Sequence, residues 1–461
     1  MIHRFFDYLT SRFASVHLLL GSFLLVILLG SLLLGLPIAN NREVLPYLDN
    51  LFIATSATCV TGLMPTVTME QFSFVGQLIL LILIQIGGLG LMTFIAFFVI
   101  IGKRNRKLKF SNKQVMMDTL NSFSVKDTQS FLINIFRYTF IFELSGAVLF
   151  SLRFIPKYGL SDGIFKSIFL SVSAFCNAGI DNLSDSSLVF LQTDPLINFV
   201  VIFLIIMGGL GFTVWFDIGK KLVKGVKNKW QARQIFNSLF LHTKLVLLFN
   251  GFLLISGAVF IFIIEYNNPL ILQGLNPFNK IMTSLFTSTT LRTAGFATVN
   301  FANFTNGSKV LMFLYMIIGG SPGGTAGGIK TTTFFIVWLM LLTELRGKKR
   351  IQIFNREIAR TNFYRAFVIV GFYFVAVFIA SIFLVNTEDL PPLSVLFEIF
   401  SAIGTVGLST GITASLSVAG KVIITILMFM GRVGPLSIIT SILINRKETS
   451  VRYPSAEVLI G

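Results

Sequence analysis

The chain has 461 residues, of which 54% are hydrophobic and 12% charged, with 50 phenylalanines and a formal net charge of +17. Soluble domains carry roughly 25% charged residues, so this composition excludes that class and points to a membrane protein. Two cysteines, Cys59 and Cys176, and three scattered histidines, His3, His17 and His242, argue against a disulfide framework, a metal cluster or a metal-dependent membrane enzyme.

The opening MIHRFFDYLTSRF is basic and aromatic, unlike a cleavable signal, and leads into an apolar run at 17–37 long enough to cross a bilayer. After it come LFIATSATCVTGL (51–63), a second apolar run at 76–101 containing IQIGGLGLMT, and the basic segment 103–126. The order then returns with a run at 131–154, IFLSVSAFCNAGI (168–180), a run at 196–218 containing IMGGLGFTV, and the basic segment 220–244. A third pass gives 243–265, SLFTSTTLRTAGF (284–296), an interrupted run at 309–341 containing GGSPGGTAGGIKT, and the basic segment 346–365. The last gives 366–385, LFEIFSAIGTVGL (396–408) and 419–444 with FMGRVGPLS.

These four copies are repeats, at 1–125, 126–235, 236–360 and 361–461. They align without gaps on Gly62, Gly179, Gly295 and Gly407, at intervals of 117, 116 and 112 residues. Ten residues earlier stand Phe52, Phe169, Leu285 and Phe397, and six earlier Ser56, Ser173, Thr289 and Ser401. A second echo, Gly87, Gly208, Gly319 and Gly431, follows the first by 25, 29, 24 and 24 residues.

The glycine segments are too short to cross a bilayer and suit re-entrant half-helices. The predicted fold is therefore an all-α polytopic protein with eight crossings and four half-helices in pseudo-fourfold arrangement about one pore. The three basic segments hold seven Lys or Arg each, whereas the alternate loops hold Lys157, Lys166 and Lys280. That asymmetry places the basic loops and both termini in the cytoplasm, and it assigns the net charge to lipid-facing loops and not to nucleic acid.

Irregular backbone at membrane depth must line a cavity or be covered by protein. Four converging segments without an acid, CVTG, CNAG, RTAG and GTVG, would offer carbonyl oxygens in place of a cation's hydration shell. Glycine lets those carbonyls turn inward, and each half-helix directs the negative end of its dipole at the cavity. A divalent ion would require carboxylates, so a monovalent cation fits better. For the second-span glycines, close helix packing stands as an alternative to a pore-lining role.

The fourfold repeat with TCVTG, CNAG, RTAG and GTVG resembles the Trk/Ktr/HKT superfamily of cation transporters, and is most similar to the Ktr-type membrane subunit of bacterial potassium uptake. The resemblance implies a potassium filter formed by Cys59, Val60, Thr61 and Gly62, by Cys176, Asn177, Ala178 and Gly179, by Arg292, Thr293, Ala294 and Gly295, and by Gly404, Thr405, Val406 and Gly407. It implies transported K+ held at backbone carbonyls, sodium as an enhancer of uptake, a homodimer in the plasma membrane and a cytoplasmic ring of nucleotide-binding RCK subunits. In that family serine at the first filter glycine accompanies sodium preference, so Gly62 points to potassium. A sodium-conducting or non-selective relative is the alternative, and a polytopic enzyme a distant one.

GGSPGGTAGGIKT superficially offers a phosphate loop, but Ile329 separates Gly328 from Lys330 and both flanks are apolar spans, so no nucleotide site is expected in this chain. Six glycines and Pro322 must instead break the third repeat's second span. In the resembled family this is the intramembrane gating loop, here Gly319, Gly320, Ser321, Pro322, Gly323, Gly324, Thr325, Ala326, Gly327 and Gly328. A static kink serving only packing is the other reading.

Lys330 and Arg432 are cations placed within the spans, where charges are costly and usually functional. Arg432 is expected to hydrogen-bond loop carbonyls or to place its charge at the inner barrier, and the resemblance gives it a gating role, with a purely structural clamp as the alternative. Arg292 is expected to face away from the axis, toward Glu398. Glu70, Asp181, Asp185, Asp194, Glu388 and Asp389 together offer a means of gathering cations outside, while each one singly reads by default as a solvated surface acid.

Overall fold

The computed structural model describes residues 15–90, 128–348, 350–435 and 437. The basic segment 103–126, the ends of the expected spans at 91–101 and 438–444, and both termini lie outside the described residues.

One order of elements recurs: a long apolar helix, a short helix, an extended turn with the aligned glycine, and a second apolar helix. The first copy is α1 (Ser15–Leu34), α2 (Tyr47–Thr58) and α3 (Phe74–Leu89). The second is α4 (Thr128–Tyr158), α5 (Leu160–Cys176), α6 (Pro195–Leu210) and α7 (Phe212–Lys227). The third is α8 (Leu241–Glu265), α9 (Pro277–Thr290), α10 (Asn306–Ile317) and α11 (Thr331–Leu345). After a small hairpin, β1 (Gln352–Ile353) with β2 (Arg356–Glu357), come α12 (Arg360–Thr387), α13 (Pro392–Gly404) and α14 (Val418–Val433).

Local chemistry sets the boundaries of each second helix. Its start is a side-chain cap: Ser73 accepts from Gly76 N at 3.3 Å, Asp194 from Leu196 N at 3.0 Å, Thr305 from Ser308 N at 3.3 Å and Ser417 from Gly420 N at 3.1 Å. Each cap satisfies an orphan N–H and contributes about 1 kcal/mol. Its end in three copies is a glycine at positive φ, Gly90 at 81°, Gly211 at 93° and Gly434 at 84°. The expected span 196–218 is accordingly a bent pair, since α6 stops at Leu210 and α7 departs at 99°. A hydropathy window does not register a single residue whose backbone leaves the helical region. The third copy instead inserts the loop 318–330 between α10 and α11.

Among the described residues three helices are long and apolar enough to cross a membrane, Phe131–Tyr158, Leu241–Glu265 and Arg360–Thr387, or four if the bent pair α6 and α7 forms one span. Shorter apolar helices, including Leu20–Leu34, Phe74–Leu89 and Thr331–Leu345, occupy other expected crossings.

The packing puts the short helices at the centre and the long ones outside. Phe52, Phe169 and Phe397 are 0% exposed, whereas Phe140 on α4 is 64% exposed, Ile255 on α8 66% and Phe374 on α12 71%. Apolar area costs about 25 cal/mol per Å² in water but nothing against lipid tails, so this outer face is stable only in a bilayer. The fourth copy closes onto the first through Lys421 on α14 and Asp49 on α2, 2.6 Å apart and largely buried.

Candidate functional site

The four short helices end at the aligned glycine segments, and all four segments share one backbone conformation. The residue two before each glycine is left-handed, with φ of 56° at Val60, 61° at Asn177, 63° at Thr293 and 52° at Thr405. The glycines follow at 102° for Gly62, 66° for Gly179, 80° for Gly295 and 87° for Gly407. A left-handed residue ends a helix by turning its last carbonyls back onto later N–H groups. Thus Thr61, Ala178 and Val406 donate to the carbonyls of Ser56, Ser173 and Ser401, at 2.8, 2.8 and 2.7 Å.

The glycines meet in a closed ring. A Cβ on Gly62 would stand 2.5 Å from Ala178 O, one on Gly179 2.6 Å from Ala294 O, and one on Gly295 2.8 Å from Val406 O. A Cβ on Gly407 would strike Thr61 O, which returns the ring to the first copy. Each glycine is therefore needed twice, for its positive φ and for the neighbouring carbonyl that occupies the place of its side chain. The ring forms the floor of an open cavity of about 560 Å³, lined by all four glycines and by Asp181, Asp185, Asn300 and Ser409.

The third segment departs from the gap-free alignment by one residue. Thr290 Oγ1 donates to Phe296 O at 2.7 Å, as Ser173 Oγ donates to Ile180 O at 2.5 Å, while the expected Thr289 bonds within its own helix to Leu285 O. Phe286, not Leu285, is the buried ring there. Ala294 N reaches back to Thr290 O at 3.1 Å, one residue less than in the other copies, so the tighter final turn absorbs the offset.

The second-helix glycines serve close packing. A Cβ on Gly87, Gly208 or Gly431 would strike the carbonyl of Thr58, Phe175 or Ile403, at the end of the preceding short helix. In the third copy Gly319 lies against Gly327 of its own loop.

The loop 318–330 is stitched to the centre of the molecule. Ser321 N and Thr325 N donate to Gly209 O at 2.9 Å and Gly208 O at 3.1 Å, and Gly328 N donates to Gly431 O at 3.2 Å. Gly319 N and Ile329 N close it at the neck, donating to Ile329 O and Ile317 O at 2.9 and 3.1 Å. Gly327 lies against the Thr405 side chain and Gly328 against Gly404 O, so the loop abuts the fourth glycine segment.

Side chains complete the hold. Arg432 donates to Thr325 O and, on α3, to Gly87 O and to Gly88 O at 3.1 Å. Lys330 Nζ folds back to Ala326 O at 2.6 Å. Asn250 Nδ2 on α8 donates to Ser321 Oγ at 3.0 Å, which in turn lies 2.9 Å from Thr331 Oγ1. Asn250 and Thr331 were not legible as site residues, although a lone amide in an apolar helix is the signal that marks Asn250.

Two expectations about charge are corrected. Arg292 does not pair with Glu398: its guanidinium donates to Gly319 O at 3.3 Å, on the loop side of the ring. Glu398 accepts from Ser409 and from Thr413 at 3.1 Å, beyond the ring on the cavity side. Of the six acids, Asp181 and Asp185 line the cavity. Glu70 pairs with Arg42 at 2.6 Å, Asp194 with Arg153 at 3.1 Å, and buried Glu388 caps α14 through Ser417 N at 3.0 Å. Burial pushes the Asp181 carboxyl above the usual carboxylate range, with hydrogen bonds from Ser187, Leu183 and Ser184 and the charge of Lys166 pulling it back.

Rings of backbone carbonyls are one way in which membrane proteins replace the hydration shell of an ion. The TrkH family, described as a cation transport protein, matches residues 19–453, and the chain belongs to that family. The Ktr system potassium uptake protein B of Bacillus subtilis (strain 168) is 38% identical over 452 residues, covering 98% of this chain and 97% of that protein. The potassium/sodium uptake protein NtpJ of Enterococcus hirae is 37% identical over 461 residues, covering 98% of each. The crystal structure of the potassium transporter TrkH from Vibrio parahaemolyticus matches with a TM-score of 0.68 over 92% of this chain and 84% of that one, at 17% identity, a likeness of fold.

Proposed function

We propose that this chain is the ion-conducting subunit of a Ktr-type system that takes up potassium across the plasma membrane. The observation that carries the reading is the glycine ring, in which each copy's carbonyl fills its neighbour's side-chain position at the floor of the vestibule. In this reading the segments ending at Gly62, Gly179, Gly295 and Gly407 are the selectivity filter, and K+ is the cargo held by their carbonyls. The four copies make eight crossings, the short second helices reaching into the bilayer and ending where the filter and loop need room. The loop 319–328 is the gate, closed by Arg432 from the fourth copy, and the basic loops face the cytoplasm. There a homodimer would meet a nucleotide-binding regulatory ring, as the family resemblance implies. Sodium enters as an activator.

A second reading, conduction of sodium alongside potassium, is favoured by the NtpJ relative, whose name carries both ions. Complementation of a potassium-uptake-deficient strain at low external potassium, with and without sodium, tests the assignment. Growth rescue with preference for potassium is expected, and equal rescue of sodium and potassium fluxes would favour the second reading.

A further inference from the structure

Glu143 is a carboxyl 9% exposed in the middle of α4, with no ion-pair partner among the described residues. An ionisable side chain at membrane depth is expensive and, by default, functional. Its surroundings are specific. Glu143 Oε2 accepts from Gln85 Nε2 on α3 at 3.3 Å, and Cys176 Sγ donates to Gln85 Oε1 at 3.6 Å. Cys176 Sγ also lies 4.0 Å from Glu143 Oε1, which closes a triangle. Cys176 is the last residue of α5, immediately before left-handed Asn177.

The third copy supplies an internal control. On α4, Glu143 O accepts from Ser171 Oγ at 2.6 Å, and Gly146 packs against that hydroxyl. On α8, Leu254 O accepts from Ser288 Oγ at 2.8 Å, and Gly257 packs against that one. Leu254 is thus the counterpart of Glu143, so the helix contact itself is satisfied by an apolar side chain. The acid in the second copy has another task.

We propose that Glu143 and Gln85 form a polar bracket, supplied by two different copies, that positions the second glycine segment and so sets ion preference. The bracket holds Cys176 from behind, at the point where the chain turns into Asn177, Ala178 and Gly179. Loss of it lets the Ala178 carbonyl, which faces Gly62 in the ring, leave its place. Gln85 also lies two residues before Gly87 near the end of α3, and the carbonyls of Gly87 and Gly88 accept from Arg432, so bracket and loop share one helix end. The inference rests on reading residues 176–179 as part of the filter.

The test uses the full chain reconstituted in proteoliposomes, with the reversal potential read under opposed potassium and sodium gradients. Glu143→Gln keeps the hydrogen-bonding positions and is expected to keep the wild-type potassium preference. Glu143→Leu, the residue of the third copy, is expected to lower the potassium-to-sodium ratio about fivefold, the effect of one polar contact of ordinary strength. Should Glu143→Leu not fold, Gln85→Met removes the same bracket from its other end, with the same drop expected. An unchanged ratio in the folded Leu or Met variant overturns the proposal, as does an equal drop in Glu143→Gln. Gly179→Ser serves as the control: if it shifts the ratio while Glu143→Leu does not, the bracket alone falls. If Gly179→Ser leaves the ratio unchanged, the filter reading beneath the bracket falls with it.

Discussion

The glycine ring and the loop beneath it lie in contact, yet they are built on opposite principles. Every ring segment takes its local conformation from its own copy, through a left-handed residue, a backbone bond to its helix end and a glycine. The loop occurs once and, beyond the neck bonds and Asn250 of its own copy, is tied to the others: Arg432 and Gly431 O from the fourth copy, carbonyls of Gly208 and Gly209 from the second, and Gly87 and Gly88 reached through Arg432 in the first. A structure fixed fourfold by local geometry has no cheap alternative state, as a filter requires. One fixed by a few cross-links between copies can be released by breaking them, as a gate requires.

The contrast is broken most severely at the ring. Gly407→Ala adds a Cβ against Thr61 O at a φ of 87°, so both the backbone and the contact oppose it. Transport should fall to background at this glycine, whose Cβ would come closer to its neighbour's carbonyl than the 2.5 Å at Gly62 and the 2.6 Å at Gly179, with a strain of about 1–2 kcal/mol for the left-handed backbone added to the clash. Size-exclusion chromatography of the purified variant should still show folded protein. Wild-type uptake in this variant would mean that the ring does not carry the ion.

Arg432→Ala attacks the other side of the comparison. Each charge-assisted hydrogen bond it removes contributes about 1.5–3 kcal/mol, so basal flux should rise by about tenfold or more if the loop is the barrier. Ion preference should not change, because the ring keeps its own supports. A shift in preference with unchanged flux would reverse the roles of the two regions.

The smallest effect belongs to the vestibule. Because burial raises Asp181, it gives up its charge at a higher external pH than a solvated aspartate would. Capture of cations should therefore weaken early as the outside is acidified, by about twofold, and Asp181→Asn should remove that pH dependence. The same acid dependence in Asp181→Asn would assign it to another group.

Much of this was legible in the sequence because the repeat is written in glycines and apolar runs. The four aligned glycines, the short helices before them and the break at 319–328 follow from spacing and backbone chemistry alone. Three things did not. The left-handed residues are a valine, an asparagine and two threonines, Val60, Asn177, Thr293 and Thr405, with no common signature, since a helix end imposes that conformation whatever the side chain. The one-residue offset at Thr290 is hidden by flanking hydroxyls, Thr289 among them, that look alike in an alignment. The partner of Arg292 is a backbone carbonyl of Gly319, and only carboxylates announce themselves as partners for a cation in sequence.

Ion selection by the carbonyls beside Gly62, Gly179, Gly295 and Gly407 is the core of the proposed function. Its most direct measurement is the reversal potential of the reconstituted chain under opposed potassium and sodium gradients, for the wild type and for Gly62→Ser. Gly62 has φ of 102° and Ala178 O in its side-chain position, so serine must displace a ring carbonyl. The reversal potential should lie near the potassium equilibrium value in the wild type and move toward sodium in the variant. An unchanged potential in a conducting Gly62→Ser chain would contradict the assignment of the filter.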